Sequence, residues 1–327
     1  MLRLGRGSAV VLLLAVLSAA SSAFASRDST ERERGPRALQ PWTLAGVSEP
    51  AGASVECLGR RVTILGTHLS DVLEGTAGAD VIAGLGGDDT IRGRDGNDLI
   101  CPGPGDDRVD GGRGLDNIEA SDGDDILDGG PGADFVRFDL APAHVTVDLA
   151  LGTATGWGTD VVLGFHGVVG SRFGDRISAT RGRDQLEGKD GDDVLFGRDG
   201  LDLLMPGAGT DTVLGGRGFD YVAYWDSPNP VRASLRSGSA TGNGPDRFAS
   251  IEGLAGSGHP DVLVGDKRRN GLYGYGGHDV LRGLSGDDWL HGGEGPDVLD
   301  GGRGRDLLFG GPGWDVCIRG ERKRSCP

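Results

Sequence analysis

Between residues 84 and 119 the chain can be cut into nines: GLGGDDTIR, GRDGNDLIC, PGPGDDRVD, GGRGLDNIE. Glycine falls mostly at positions 1 and 4, and sometimes at 2; aspartate holds position 6 and an aliphatic residue position 8. The frame recurs in three blocks, with repeats starting at 66, 75, 84, 93, 102, 111, 120 and 129, at 170, 179, 188, 197, 206 and 215, and at 256, 265, 274, 283, 292, 301 and 310. Of these 21 repeats, 20 carry aspartate at position 6, the exception being Asn270, and 20 carry Ile, Leu or Val at position 8, the exception being Cys317. An acid and an apolar residue locked to separate phases of one period are not a composition effect. Such a chain grows by adding coils, so the length of 327 residues, which would otherwise suggest about two domains, loses that meaning.

Glycine makes up 63 residues, far above the usual share of about 7%. There is no Gly-X-Y period, which excludes collagen, and without the aspartate register the composition would read as disordered. The formal charge of −16 argues against a nucleic-acid partner and for cations.

The pattern GGxGxDxUx, with U a large apolar residue, resembles the RTX (hemolysin-type) calcium-binding nonapeptide repeat. The resemblance spans about residues 57–318 and implies an all-β fold, a parallel β-roll or right-handed β-solenoid. Each nonapeptide would give a six-residue turn and a three-residue strand, with 18 residues per coil and position 8 pointing inward. Calcium takes six to eight oxygens at about 2.3–2.6 Å. By the resemblance, each ion would lie between turn n and turn n+2, held by backbone carbonyls and position-6 carboxylates. The ligands implied are Asp71, Asp80, Asp89, Asp98, Asp107, Asp116, Asp125 and Asp134 in the first block, Asp184, Asp193, Asp202, Asp211 and Asp220 in the second, and Asp279, Asp288, Asp297, Asp306 and Asp315 in the third. This allows at most about 15 sites. The turns 66–71, 170–175, 256–261 and 265–270 depart from the motif and are expected to bind weakly or not at all; Asp95, Asp190 and Asp199 are expected to face outward.

One large apolar side chain per strand makes a thin core. It must balance about 1–2 kcal/mol of backbone entropy per residue, against repulsion between stacked carboxylates. The roll is therefore expected to be largely unfolded without calcium, so that metal binding supplies folding free energy. A calcium-independent solenoid with merely solvated aspartates gives no reason for one phase to hold Asp 20 times.

Residues 1–25 have the form of a secretory signal peptide: Arg3 and Arg6, an apolar run from 9 to 17, and Ala23-Phe24-Ala25 before the cut. Export is expected, and no later stretch is apolar enough to span a bilayer. RTX proteins exported by type I systems carry a C-terminal signal instead; this chain ends in the basic stretch RGERKRSCP. The expected map is a disordered linker over 26–54, a capping coil plus the first block over 55–137, an insert over 138–169, the second block over 170–223, an insert over 224–255, the third block over 256–318, and a tail over 319–327. The inserts are related, because 134–171 aligns without a gap on 220–257, matching Val145, Leu149, Gly152 and Asp160 to Val231, Leu235, Gly238 and Asp246. VTVDL (145–149) alternates and reads as a strand, so each insert is expected to continue the sheet with wider coils. Trp157 and Trp225 offer an alternative use, a loop that binds carbohydrate or a partner.

The four cysteines Cys57, Cys101, Cys317 and Cys326 suit disulfides in an exported chain. Three pairings exist. Cys317 with Cys326 would staple the last coil, leaving Cys57 with Cys101, which requires the N-terminal cap to fold back. No CxxC pair supports a zinc site. There is no HExxH, GxSxG or P-loop, and His278 and His291 are expected to be exposed spacers in turns. The reading is a secreted, non-enzymatic calcium-binding protein with a structural or interaction role. The alternatives are a polysaccharide-modifying enzyme using insert acids such as Asp148 or Asp160, or an adhesive or matrix protein that binds cell-surface polysaccharide or itself.

Overall fold

In a chain of nines only positions 7–9 are free of the glycine-rich turn, and these are the strands. They include Val72–Glu74, Val81–Ala83, Thr90–Arg92 and Leu99–Cys101, each with position 8 at its centre. A computed structural model describes residues 55–326. The leader and the linker expected from the sequence lie outside those residues. Alternate repeats feed opposite sheets, and each strand pairs in parallel with the one 18 residues on, Ile82 beside Ile100 and Ile91 beside Val109. The sheets hold 14 and 17 strands, and the described residues contain no helix. This is the parallel β-roll. Its core is a ladder of position-8 side chains, from Ile82, Ile91 and Ile100 to Leu299 and Leu308, all fully buried.

Each insert continues both sheets as a widened coil, Val136 beside Val168 and Val222 beside Leu254 on one side, and folds its extra length into the other sheet. Thr146–Asp148, Thr153–Thr155 and Thr159–Leu163 form an antiparallel meander, whose outer members pair in parallel with Arg176–Ser178 and Ile126–Asp128. The second insert repeats this with Arg232–Ser234, Ser239–Thr241 and Asp246–Ala249. A parallel return needs a connection of about a dozen residues, and only four separate Asp148 from Thr153. Gly152 closes the reversal at φ 71°, donating its N–H to the Asp148 carbonyl. Val147, Ala154 and Val162 face inward and extend the core.

At the N-terminal end, Glu56–Cys57 folds back antiparallel on Arg60–Arg61, while Ile64 sits in register with Ile82. Folding back brings Cys57 to Cys101, and both disulfides form, Cys57–Cys101 and Cys317–Cys326. The basic tail adds a last strand, Arg322–Arg324, beside Leu307–Phe309. His291 is not a turn residue. It lies in Trp289–Glu294, stacked between Tyr273 and Phe309, and burial lowers its pKa.

Candidate metal centres

The position-6 aspartates form a column along each edge of the roll, bonded coil to coil. Along one edge the backbone N–H of Asp71 donates to Oδ1 of Asp89 (2.8 Å), Asp89 to Asp107 (2.7 Å) and Asp107 to Asp125 (2.9 Å). Along the other, Asp80 donates to Asp98, Asp98 to Asp116 and Asp116 to Asp134, all at 2.8 Å. The later blocks repeat the link, as in Asp184 to Asp202 (3.0 Å), Asp193 to Asp211 (2.8 Å), Asp202 to Asp220 (2.9 Å), Asp279 to Asp297 (2.9 Å), Asp288 to Asp306 (3.0 Å) and Asp297 to Asp315 (3.0 Å).

The second carboxylate oxygen divides the turns into two classes. In Asp89, Asp98, Asp107, Asp116, Asp134, Asp193, Asp202, Asp211, Asp220, Asp279, Asp288, Asp297, Asp306 and Asp315, Oδ2 is buried without a hydrogen-bond partner. In Asp71 and Asp80 it is taken, by the N–H of Thr67 and of Thr76 (2.6 Å each) and by their hydroxyls (2.8 and 2.9 Å). Ser121 caps Asp125 with its hydroxyl. Thr180 caps Oδ2 of Asp184, whose Oδ1 is left without a partner. Asp175 and Asp261 are capped by Ser171 and Ser257, and Asn270 by the N–H of Asp266.

Position 2 of the nonapeptide decides the class. Where it is Ser, Thr or Asp, its N–H meets the side chain at position 6 of its own turn, or its hydroxyl does. Where Oδ2 is unpartnered, position 2 is left-handed, whether glycine (Gly103, φ 93°) or not (Leu85, φ 83°; Arg94, φ 78°; Leu284, φ 72°). All four turns that depart from the motif, 66–71, 170–175, 256–261 and 265–270, are capped. Of the extra acids, Asp95 and Asp190 are exposed and Asp199 is half-buried.

A buried carboxylate oxygen without a donor is costly unless it meets a proton or a cation. Burial, reinforced by aspartates on the coils above and below, pushes the carboxyl pKa of Asp98 up to about 6, Asp107 to about 7 and Asp202 to about 8. In most of these turns the space is reserved by glycine at position 1, with Pro102 and Pro206 in its place before Asp107 and Asp211. A Cβ on Gly197 would come within 2.7 Å of Asp202 Oδ2 and 2.6 Å of the Gly215 carbonyl on the next coil. Carboxylate and carbonyl oxygens, with no nitrogen or sulfur, are the donor set of a hard cation such as calcium. The residues present therefore fit calcium, and the architecture is that of a calcium-binding repeat roll.

The family description "RTX calcium-binding nonapeptide repeat" matches residues 66–100, 103–136, 169–204, 207–222, 255–290 and 291–321. The chain belongs to this family, whose repeats bind calcium in multiple copies. No curated protein matches it.

Sequence reasoning missed three members of the columns: Glu252, which takes the Asp220 N–H at 3.2 Å, and two aspartates. Asp160 and Asp246, in the inserts, take the Asp125 and Asp211 N–H at 3.1 and 3.2 Å, and each has a buried, unpartnered Oδ2. Of the insert residues singled out from the sequence, Asp148 is ion-paired to Arg198. Trp157 packs against the core, and Trp225 lies edge-on to Tyr275.

Proposed function

We propose that this protein is exported and folds outside the cell as calcium fills the two aspartate columns, serving a structural or interaction role rather than a catalytic one. The observation that carries the reading is the series of buried Oδ2 atoms aligned along both edges. Extracellular calcium near millimolar matches the affinity of extracellular modules, about 0.1–1 mM. Two disulfides suit an oxidising compartment. The terminal strands bear on self-association. A charged edge strand resists pairing with another sheet, and Arg322–Arg324 supplies three exposed cations. Equilibrium dialysis against calcium tests the reading. Several bound ions per chain, lost on Asp98→Asn and Asp202→Asn but retained on Asp71→Asn, support it; a chain that binds none contradicts it.

A further inference from the structure

We infer that each insert carries one further calcium-binding turn, residues 155–160 and 241–246, outside the segments matched by the family. The inference rests on the calcium reading of the columns.

The two turns read TGWGTD and TGNGPD. Glycines stand at positions 2 and 4, aspartate at position 6, and Val162 or Phe248, both buried, at position 8. Position 1 is threonine, and the phase is displaced from the nonapeptide frame, which is why the period hides them. Their geometry is that of the open class. Gly156 and Gly242 at position 2 have φ of 124° and 157°. Asp160 and Asp246 are 1% and 2% exposed. Their Oδ1 atoms hold the preceding coil by the link used throughout the columns, although that coil lies 35 residues back rather than 18. Backbone carbonyls close in from the same coil, since a Cβ on Gly158 or Gly244 would strike the carbonyl of Gly123 or Gly209. Position 1 need not be glycine in an open turn: it is Pro102 in the turn of Asp107 and Pro206 in that of Asp211.

The column through Asp125 and the column through Asp211 thus each end, at the insert, in a buried carboxylate whose second oxygen makes no hydrogen bond. In the first insert Phe138 is buried beneath the sheet. In the second the equivalent residue is Tyr224, whose buried hydroxyl lies beside Asp246 and is a donor that an ion there would displace.

Bound calcium is counted on the full chain at saturating calcium, after equilibrium dialysis, with circular dichroism confirming the fold. Asn270 already occupies position 6 of one turn, so aspartate-to-asparagine exchange is one this fold accepts. Asp160→Asn and Asp246→Asn should each lose one ion and the double variant two, while Asp71→Asn loses none. If either fails to refold, Asp160→Ser or Asp246→Ser, which replace the carboxylate with a smaller polar side chain, should lose the same ion. Unchanged counts in the insert variants, with ions lost on Asp98→Asn and Asp202→Asn, overturn this inference alone. Unchanged counts in all of them overturn the calcium reading itself.

Discussion

The backbone N–H of Asp80 donates to Oδ1 of Asp98 at 2.8 Å, one coil on, while Oδ2 of Asp98 is buried without a partner. One half of each such carboxylate holds the solenoid together and the other half is open to a cation. Removing the side chain should therefore cost more than removing the charge. Asp98→Ala leaves the Asp80 N–H unsatisfied, at about 1–3 kcal/mol, even at saturating calcium; Asp98→Asn keeps that acceptor and loses only the ion. Denaturant melts of both variants, with and without calcium, separate the two contributions.

Position 2 should act as a switch. Leu85 sits at φ 83° in the open turn of Asp89, and Leu85→Thr installs the cap that Thr67 gives Asp71. The variant should be more stable than wild type in chelator, by about 1 kcal/mol, from one hydrogen bond and relief of a left-handed residue. It should also bind one calcium fewer. Paired thermal melts and dialysis check both halves.

The metal-free roll should be stabilised by acid. Burial raises the carboxyl pKa of Asp107 and Asp193 to about 7 and of Asp202 to about 8. A folded-state pKa above the unfolded value means the folded chain binds protons more tightly. That stability is complete below about pH 4 and lost as pH rises through about 6–8. Melting temperatures in chelator should rise between about pH 8 and pH 5. With calcium bound the trend should reverse, because protons then compete with the ion. Chelated melts independent of pH across that range would contradict the burial argument.

The disulfides should differ in weight. Cys57–Cys101 closes a separation of 44 residues and Cys317–Cys326 one of 9. Loop closure then gives about 4 kcal/mol for the first and about 2.5 for the second. Replacing Cys57 and Cys101 by alanine should raise the calcium concentration needed for folding more than replacing the other pair, as read by tryptophan fluorescence during titration.

The regular blocks were legible because each nonapeptide is a local unit. The phase of Ile82, Ile91 and Ile100 is at once their burial and their register, and the phase of Asp89 and Asp98 is their column. What escaped depends on stacking rather than on phase. Thr76 and Leu85 look like equal departures from glycine, yet one puts an N–H on its aspartate and the other turns away. Asp160 and Asp246 sit off the nine-residue frame and reach their columns only because an antiparallel meander brings them there. His291 was misplaced because position 9 reads as surface, whereas aromatic neighbours on adjacent coils enclose it.

The most direct test of the account is far-UV circular dichroism of residues 26–327, titrated with calcium from a chelated start. The account predicts a cooperative gain of β signal near 0.1–1 mM calcium, not reproduced by magnesium. A β spectrum already complete in chelator at neutral pH would contradict it, and would assign the stability to the aliphatic ladder and the disulfides instead.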